Sequence, residues 1–325
     1  MKQKIIIVDL IGPTGHINWL NKLFSIIKNE FDIVFISYKS YCKHLLVENK
    51  ITLSDKLLPT NSRVINLIKS FKALSKVKKI VRDYDKDIPV YIVGFENISY
   101  SIFGFKRRKT LLHLHNNLSL SNLSLFFLKI TTINNSFVVF EKFMKTFLKD
   151  FNNSTYVLNH TLNFLPKDKN VSDDDFIFIS SKVDDLIFID PIIKFAEAKR
   201  LKIIFRSELK IDNSQTLISM PFFDNYKELL MNSKYVVIIS PHDYRVGGVF
   251  YEAMLFNKKI ILLGSKGLFI NEMNKRYPYS FVRIQENSYI DLDVNKKNND
   301  YSNFLLEHND SAIINQFQEM INKIK

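Results

Sequence analysis

The sequence predicts an α/β protein made of two Rossmann-like domains, and three observations carry that prediction. Apolar runs of strand length alternate with helical periodicity along most of the chain. The first such run leads straight into a glycine-rich break and a helix, the opening of a doubly wound sheet. The pattern then restarts after a polar stretch at mid-chain, and 325 residues suffice for two domains of ordinary size.

Taken in order, residues 4–10 (KIIIVDL) read as a strand buried on both faces of a parallel sheet. Gly12-Pro13-Thr14-Gly15 breaks the chain, and Ile17, Leu20, Leu23, Phe24 and Ile27 recur at helical spacing. Further strands are predicted at 32–37, 89–94, 109–114, 136–140 and 155–158. Residues 166–175 (PKDKNVSDDD) are polar and open with proline, so they read as the linker. Beyond it, strands are predicted at 176–179, 202–205, 216–219, 235–239 and 259–263, with helices near 185–199, 224–232 and 247–257. Ile313, Phe317, Met320, Ile321 and Ile324 predict a terminal amphipathic helix. The expected domains are therefore 1–168, 172–308 and a helix at 309–325 that returns to the first domain.

Nearly half the residues are apolar and 13% are aromatic, which excludes the composition of a disordered chain. A formal charge of +13 favours anionic partners: phosphorylated small molecules, an anionic membrane face or nucleic acid. A single cysteine, Cys42, excludes an intrachain disulfide and fits a reducing compartment. The apolar run at Ile5–Val8 is cut short by Asp9, so it does not read as a signal peptide, and no run is long enough for a spanning helix. The expected location is the cytoplasm, or its membrane surface.

Residues 224–264 carry the most chemistry. A helix leads into the buried strand at 235–239, which stops at Ser240-Pro241. A polar loop follows at the carboxyl end of that strand, where open α/β sheets bind ligands. Gly247-Gly248 then opens a helix, whose free amides and dipole suit a phosphate. Arg245 just before it carries a donor fork suited to phosphate, and Glu252 on the helix can accept from ribose hydroxyls. The bland alternative for the glycine pair is a tightly packed helix start.

This stretch resembles the donor-binding segment of GT-B glycosyltransferases, especially the retaining glycosyltransferase family 4. Gly247 falls on the second glycine of that family's Glu-Gly-x-Gly-x-x-x-x-Glu-Ala-Met pattern, and Glu252-Ala253-Met254 on its end. Tyr244 stands where the family's sugar-contacting glutamate is usual, and Arg245 where a glycine follows it. The resemblance implies the GT-B fold, two Rossmann-like domains facing a central cleft. It also implies that Glu252 binds the ribose while Gly247 and Gly248, flanked by Tyr244, Arg245 and Val249, meet the diphosphate. Weaker echoes extend it: Gly15 and His16 in the first loop, Lys182 after the first strand of the second domain, and Arg206 in place of an absent cation. The implied activity is a metal-independent, retaining hexosyl transfer from a UDP- or GDP-sugar. The implied acceptor is a glycan or lipid-linked sugar of a bacterial capsule, O-antigen or related polysaccharide. Two alternatives stay open, a degenerate scaffold of a membrane glycan assembly and a nucleotide-sugar 2-epimerase.

His113 and His115 alternate onto one side of their strand, and His115 lies at its carboxyl end. His115 and His16 are the candidate catalytic bases. No metal-ligand spacing stands out, Asp173-Asp174-Asp175 reads as a solvated run, and no cofactor is expected. Gly12 and Gly15 do not form a dinucleotide fingerprint. Residues 64–82 predict an amphipathic helix with Ile68, Phe71, Leu74 and Val81 on one face. Lys69, Lys72, Lys76 and Lys79 on the other would meet an anionic membrane. Aromatic residues do not interleave with these lysines, so nucleic acid is not expected as a partner.

Overall fold

The computed structural model describes residues 2–12, 14–60, 62–119, 121–131, 134–151, 153–162, 174–208, 216–239, 243–244, 246–262, 267–285, 288–291 and 299–324. The predicted linker up to Asp173, the first half of the polar stretch 294–303, the break at Ser240–His242 and Arg245 lie outside these residues. The chain packs as two compact units: 1–163 joined by 307–325, and 164–306.

In the first unit the order is β1 (Gln3–Asp9), α1 (Thr14–Ile27), β2 (Phe31–Tyr38), α2 (Lys39–Cys42), β3 (Asn49–Leu53), α3 (Arg63–Arg82), β4 (Val90–Gly94), α4 (Asn97–Phe103), β5 (Thr110–His113), α5 (Asn122–Lys129), β6 (Asn135–Val139), α6 (Lys142–Phe147) and β7 (Thr155–Val157). The strands form one parallel sheet in the order β3-β2-β1-β4-β5-β6-β7. Ile5, Ile6, Ile7 and Val8 are wholly buried, as a central strand covered on both faces requires.

The second unit runs β8 (Asp174–Lys182), α7 (Asp190–Lys199), β9 (Lys202–Arg206), β10 (Leu217–Met220), α8 (Tyr226–Asn232), β11 (Ser233–Ile238), α9 (Gly248–Leu255), β12 (Lys259–Leu262), α10 (Leu268–Arg276), β13 (Phe281–Gln285), β14 (Ser288–Asp291) and α11 (Asp300–His308). Its sheet is ordered β10-β9-β8-β11-β12-β13-β14, parallel except for the final hairpin. In both sheets the order reverses beside the first strand, between β1 and β4 and between β8 and β11. Open α/β sheets bind ligands above that reversal.

The last helix, α12 (Asp310–Lys323), belongs to the first unit. Its Phe317 ring sits 5.2 Å from Phe31 and 5.7 Å from Tyr91, and Asp310 pairs with Lys22 of α1 at 2.7 Å.

Three strands escape sequence patterning. β3 (NKITL) is a half-exposed edge strand, and β13 and β14 end the second sheet. The predicted faces of α3 also need correction. The helix buries Ala73, Leu74, Val77 and Val81, whereas Ile68 is 48% exposed. The first turns of α3 leave their apolar side chains to solvent, so the inward stripe begins only at Ala73. Lys69 donates to the Leu58 carbonyl at 2.9 Å, which leaves Lys72, Lys76 and Lys79 exposed. Asp174 and Asp175 open β8 rather than ending a linker, and Asp175 pairs with Lys234 at 2.9 Å.

Candidate functional site

Each unit places a cluster of polar groups at the carboxyl end of its sheet, at the strand-order reversal. In the first unit β1 ends in Asp9, whose side chain is completely buried. Gly12 turns the chain here with φ near +59°, a conformation open to glycine. The turn aims the Ile11 and Gly12 amides at Asp9 Oδ1, both at 3.0 Å. His16, on the first turns of α1, brings Nδ1 to 3.2 Å from Asp9 Oδ2. Gly94 closes β4 alongside, and a Cβ there would lie 2.2 Å from Asp9 Oδ1. The carboxylate therefore occupies space that only a glycine neighbour leaves free.

Burial pushes the Asp9 carboxyl upward, but the His16 contact and the two amides outweigh it and hold the pKa below the ordinary aspartate value. Asp9 is thus an anion behind His16. A carboxylate at Nδ1 fixes that proton and leaves Nε2 as the free basic atom.

Behind His16 lies a packed row of rings. The His115 centroid is 4.3 Å from His16, and His113 is 4.4 Å from His115. The Tyr91 hydroxyl hydrogen-bonds His113 Nδ1. Trp19, the chain's single tryptophan, stands edge-on at 5.3 Å from His113 and 5.0 Å from His115. Phe140 closes the row against His113, His115 and His160. Burial, with the charge of neighbouring histidines, drives the pKa of His113 and His115 well below the usual histidine value. His160 falls to about 4, mainly through burial and partly opposed by the Thr161 carbonyl. All three rings are neutral at pH 7. His115 Nε2 and His113 Nε2 are buried without a hydrogen-bond partner among the described residues. Of the two predicted bases, His16 has a carboxylate behind it to stabilise a bound proton, and His115 does not.

In the second unit α9 begins at Gly248 with Gly247 as its N-cap. Gly247 has ordinary extended angles, φ −90° and ψ 116°, so its backbone does not require glycine. A Cβ on Gly247 or Gly248 would meet nothing within 4 Å among the described residues. Among the described residues the glycine pair is therefore neither strained nor close-packed, and Gly248 is exposed. Half-buried Val249 follows.

Glu252 lies four residues after Gly248 and so on the same face of α9. The Tyr226 hydroxyl of α8 donates to Glu252 Oε2 at 2.8 Å, and Tyr226 also bonds the Ser180 side chain at the end of β8. Desolvation raises the Glu252 pKa above the usual glutamate value, a shift the Tyr226 bond partly offsets. Tyr226 escaped the sequence reading because nothing in its local pattern marks it.

Lys182 and Arg206 are register partners on β8 and β9. The Lys182 amine is held by Asp184 at 3.1 Å and Glu208 at 3.2 Å, and Arg206 Nε donates to the Pro221 carbonyl at 3.1 Å. Both predicted cations are thus brought together but already engaged. Tyr244 is half-buried, and its neighbour Asp243 accepts from the Leu268 amide at 3.0 Å, which ties this loop to the start of α10. Arg245 lies outside the described residues, and Gly15 falls in the first turn of α1. No group of three or more potential metal ligands occurs among the described residues.

No protein-family model matches the chain, and no curated protein matches it. Solved structures do resemble it. A glycosyltransferase from Rickettsia africae shares 12% identity at a TM-score of 0.69, over 99% of this chain and 98% of that one. Anabaena Alr3699/HepE in complex with UDP shares 16% identity at a TM-score of 0.68, over 99% and 100%. A UDP-N-acetylglucosamine 2-epimerase from Rickettsia bellii shares 11% identity at a TM-score of 0.58, over 100% and 98%. The chain has the GT-B fold, an α/β architecture with two Rossmann-like sheets.

Proposed function

We propose that this protein is a glycosyltransferase that binds a nucleoside diphosphate sugar, UDP- or GDP-linked, on its second unit. The reading is carried by one observation: among the described residues, neither backbone strain nor packing calls for glycine at Gly247 or Gly248, at the start of α9. Room for a diphosphate accounts for both residues. Its oxygens accept from the exposed amides and sit at the positive end of the helix dipole. Glu252, steadied by Tyr226, accepts from the ribose hydroxyls one turn further on. The neighbour solved with UDP and the glycosyltransferase from Rickettsia africae support the same reading.

The chemistry follows from the groups each unit carries. His16 Nε2 takes the proton of an acceptor hydroxyl, and Asp9 stabilises the imidazolium formed. The acceptor oxygen bonds to the anomeric carbon as the bond from that carbon to the diphosphate oxygen breaks. The departing diphosphate keeps the electron pair, and its charge meets the α9 amides and Arg245. No metal is needed for these steps. The expectation of retention rests on family resemblance. A histidine backed by a carboxylate suits a base-assisted single displacement, the alternative to retention, which inverts the anomeric configuration.

The acceptor is a glycan or lipid-linked sugar of a bacterial surface polysaccharide such as capsule or O-antigen, handled at the cytoplasmic face of the plasma membrane. Lys72, Lys76 and Lys79, with Lys69 at the same face, would meet that membrane. Incubation with a panel of UDP- and GDP-sugars, with and without candidate acceptors, tests the proposal. Transfer of sugar is the expected outcome, and the anomeric proton coupling of the product reports its stereochemistry. An epimeric nucleotide sugar formed without acceptor would support the 2-epimerase reading that the Rickettsia bellii likeness allows. Calorimetry showing no affinity for UDP or GDP would end the proposal.

A further inference from the structure

The helices α3, α4 and α5 combine two properties that seldom occur together on a surface. They carry seven, no and one basic residues respectively, and not one aspartate or glutamate. Helices α1, α2 and α6 also lack acidic residues, so what sets this layer apart is the seven cations of α3 beside half-exposed apolar side chains. The same helices leave large apolar side chains about half in water: Ile65 and Ile68 on α3, Phe103 on α4, and Leu123 and Phe126 on α5, with Ile130 just past its end. A patch of this kind on a folded unit marks an interaction site.

The three helices form one layer. Arg63 reaches the Ser121 hydroxyl at 3.5 Å, joining the starts of α3 and α5. Ser101 meets the Thr131 hydroxyl at 2.9 Å, joining α4 to the end of α5. The Phe71 and Phe103 rings stack edge to face at 4.8 Å, joining α3 to α4. Beside the ends of α3 and α4 lies a pocket of about 400 Å³ walled by Val81, Tyr84 and Phe105. Two of its cations hold its shape: Lys78 donates to the Phe103 carbonyl, and the Arg108 guanidinium is spent on the Val81, Tyr84 and Ile88 carbonyls. The other four, Arg82, Lys86, Lys106 and Arg107, form no ion pair among the described residues. Asp85 and Asp87 line a neighbouring hollow, which Lys86, Arg107 and Arg108 line as well, and not this pocket. Burial, and after it the like charge of Lys106 and Arg82, lowers the Lys78 pKa.

We propose that the outer face of α3, α4 and α5 is a docking surface for an anionic lipid bilayer, with the pocket at its edge receiving a lipid phosphate. This proposal rests on the reading of a membrane-associated transferase and names the surface responsible. Unpaired cations beside aliphatic side chains match a headgroup layer above acyl chains. A nucleic acid would leave Ile65, Ile68, Leu123 and Ile130 unused. No helix among the described residues is long and apolar enough to cross a membrane, so this face accounts for contact from one side.

Sedimentation of the full chain with vesicles tests it. Binding is expected to phosphatidylcholine vesicles containing phosphatidylglycerol and not to phosphatidylcholine alone, and to weaken as salt rises. The pair Arg82→Glu with Lys106→Glu should reduce binding tenfold or more, as should Leu123→Ser with Phe126→Ser. Melting temperature and UDP affinity, measured on the same proteins, should stay unchanged. No binding to anionic vesicles, equal binding to neutral ones, or full binding by either double variant would overturn the proposal. So would a dimer on gel filtration that Phe126→Ser dissolves, since the face would then be a self-association surface. Absent vesicle binding with intact UDP or GDP affinity would sink this surface alone, whereas absence of affinity for both nucleotides, with vesicle binding intact, would sink the transferase reading and leave a membrane-binding face without it.

Discussion

Lowering the pH from 7 to 5 should destabilise the first unit, and the histidine row sets the magnitude. An unfolded histidine titrates near 6.5, whereas folded His160 titrates at about 4. Between those values the unfolded chain holds a proton that the folded chain refuses. Stability is therefore full above pH 6.5 and is lost as the pH falls toward 4. Linkage over this window makes His160 alone cost about 2 kcal/mol at pH 5 relative to pH 7. His113 and His115, shifted in the same direction by burial, add to the loss. Asp9 does not offset it, because its lowered pKa confines its own titration to more acidic pH. The assay is urea unfolding at pH 7, 6 and 5, followed by tryptophan fluorescence. Trp19 is the only tryptophan and touches His16, His113 and His115, so the signal comes from the cluster itself. His160→Gln should remove about 2 kcal/mol of the acid-dependent loss. A midpoint independent of pH over this range, or a His160→Gln protein with the unaltered pH slope, would refute the argument.

Four substitutions probe the rest. Gly248→Ala should leave the melting temperature unchanged or slightly raised, because its Cβ meets nothing and alanine favours helix. The same change should weaken UDP or GDP binding in calorimetry by intruding on the diphosphate. Glu252→Gln should weaken nucleotide binding about tenfold through loss of a charged hydrogen bond. Because the folded Glu252 pKa is raised, its buried charge costs stability at pH 7 and not below the folded pKa. Glu252→Gln should therefore melt higher than the unmodified protein at pH 7 and lose that advantage in acid. Asp9→Asn keeps an oxygen for the Ile11 and Gly12 amides but misorients His16, so kcat should fall by roughly 10²–10⁴ with donor affinity intact, as measured by initial rates and calorimetry. Gly94→Ala forces a methyl against Asp9 Oδ1 and should cost about 1–3 kcal/mol in urea unfolding.

Much of the fold was readable from residue order. Central strands such as Ile5–Val8 and Val236–Ile238 are continuous apolar runs because both faces of a parallel sheet are covered. β3 was not readable, because an edge strand half in water carries the mixed pattern of a loop. The glycine pair and Glu252 were readable as a motif, and the structure adds that neither glycine is strained or close-packed among the described residues. Asp9 was noticed only as a break in an apolar run. Its partners, the Ile11 and Gly12 amides, His16 and the space beside Gly94, come together only when β1, α1 and β4 fold around it.

The sequence by itself determined two α/β domains, their strand-and-helix rhythm and the Gly-Gly helix start with Glu252 behind it. Those properties depend on local periodicity and on residues adjacent in the chain. Tertiary structure decided which histidine is backed by a carboxylate, which cations are already engaged and which face of α3 turns inward. Each of these depends on groups far apart in sequence. Lys182 is neutralised partly by Glu208, Glu252 is set by Tyr226 of a different helix, and Ile68 stays in water because the inward stripe of α3 begins only at Ala73. A charge or a ring acquires its pKa and its role from the neighbours that folding supplies, and those neighbours are not written beside it in the chain.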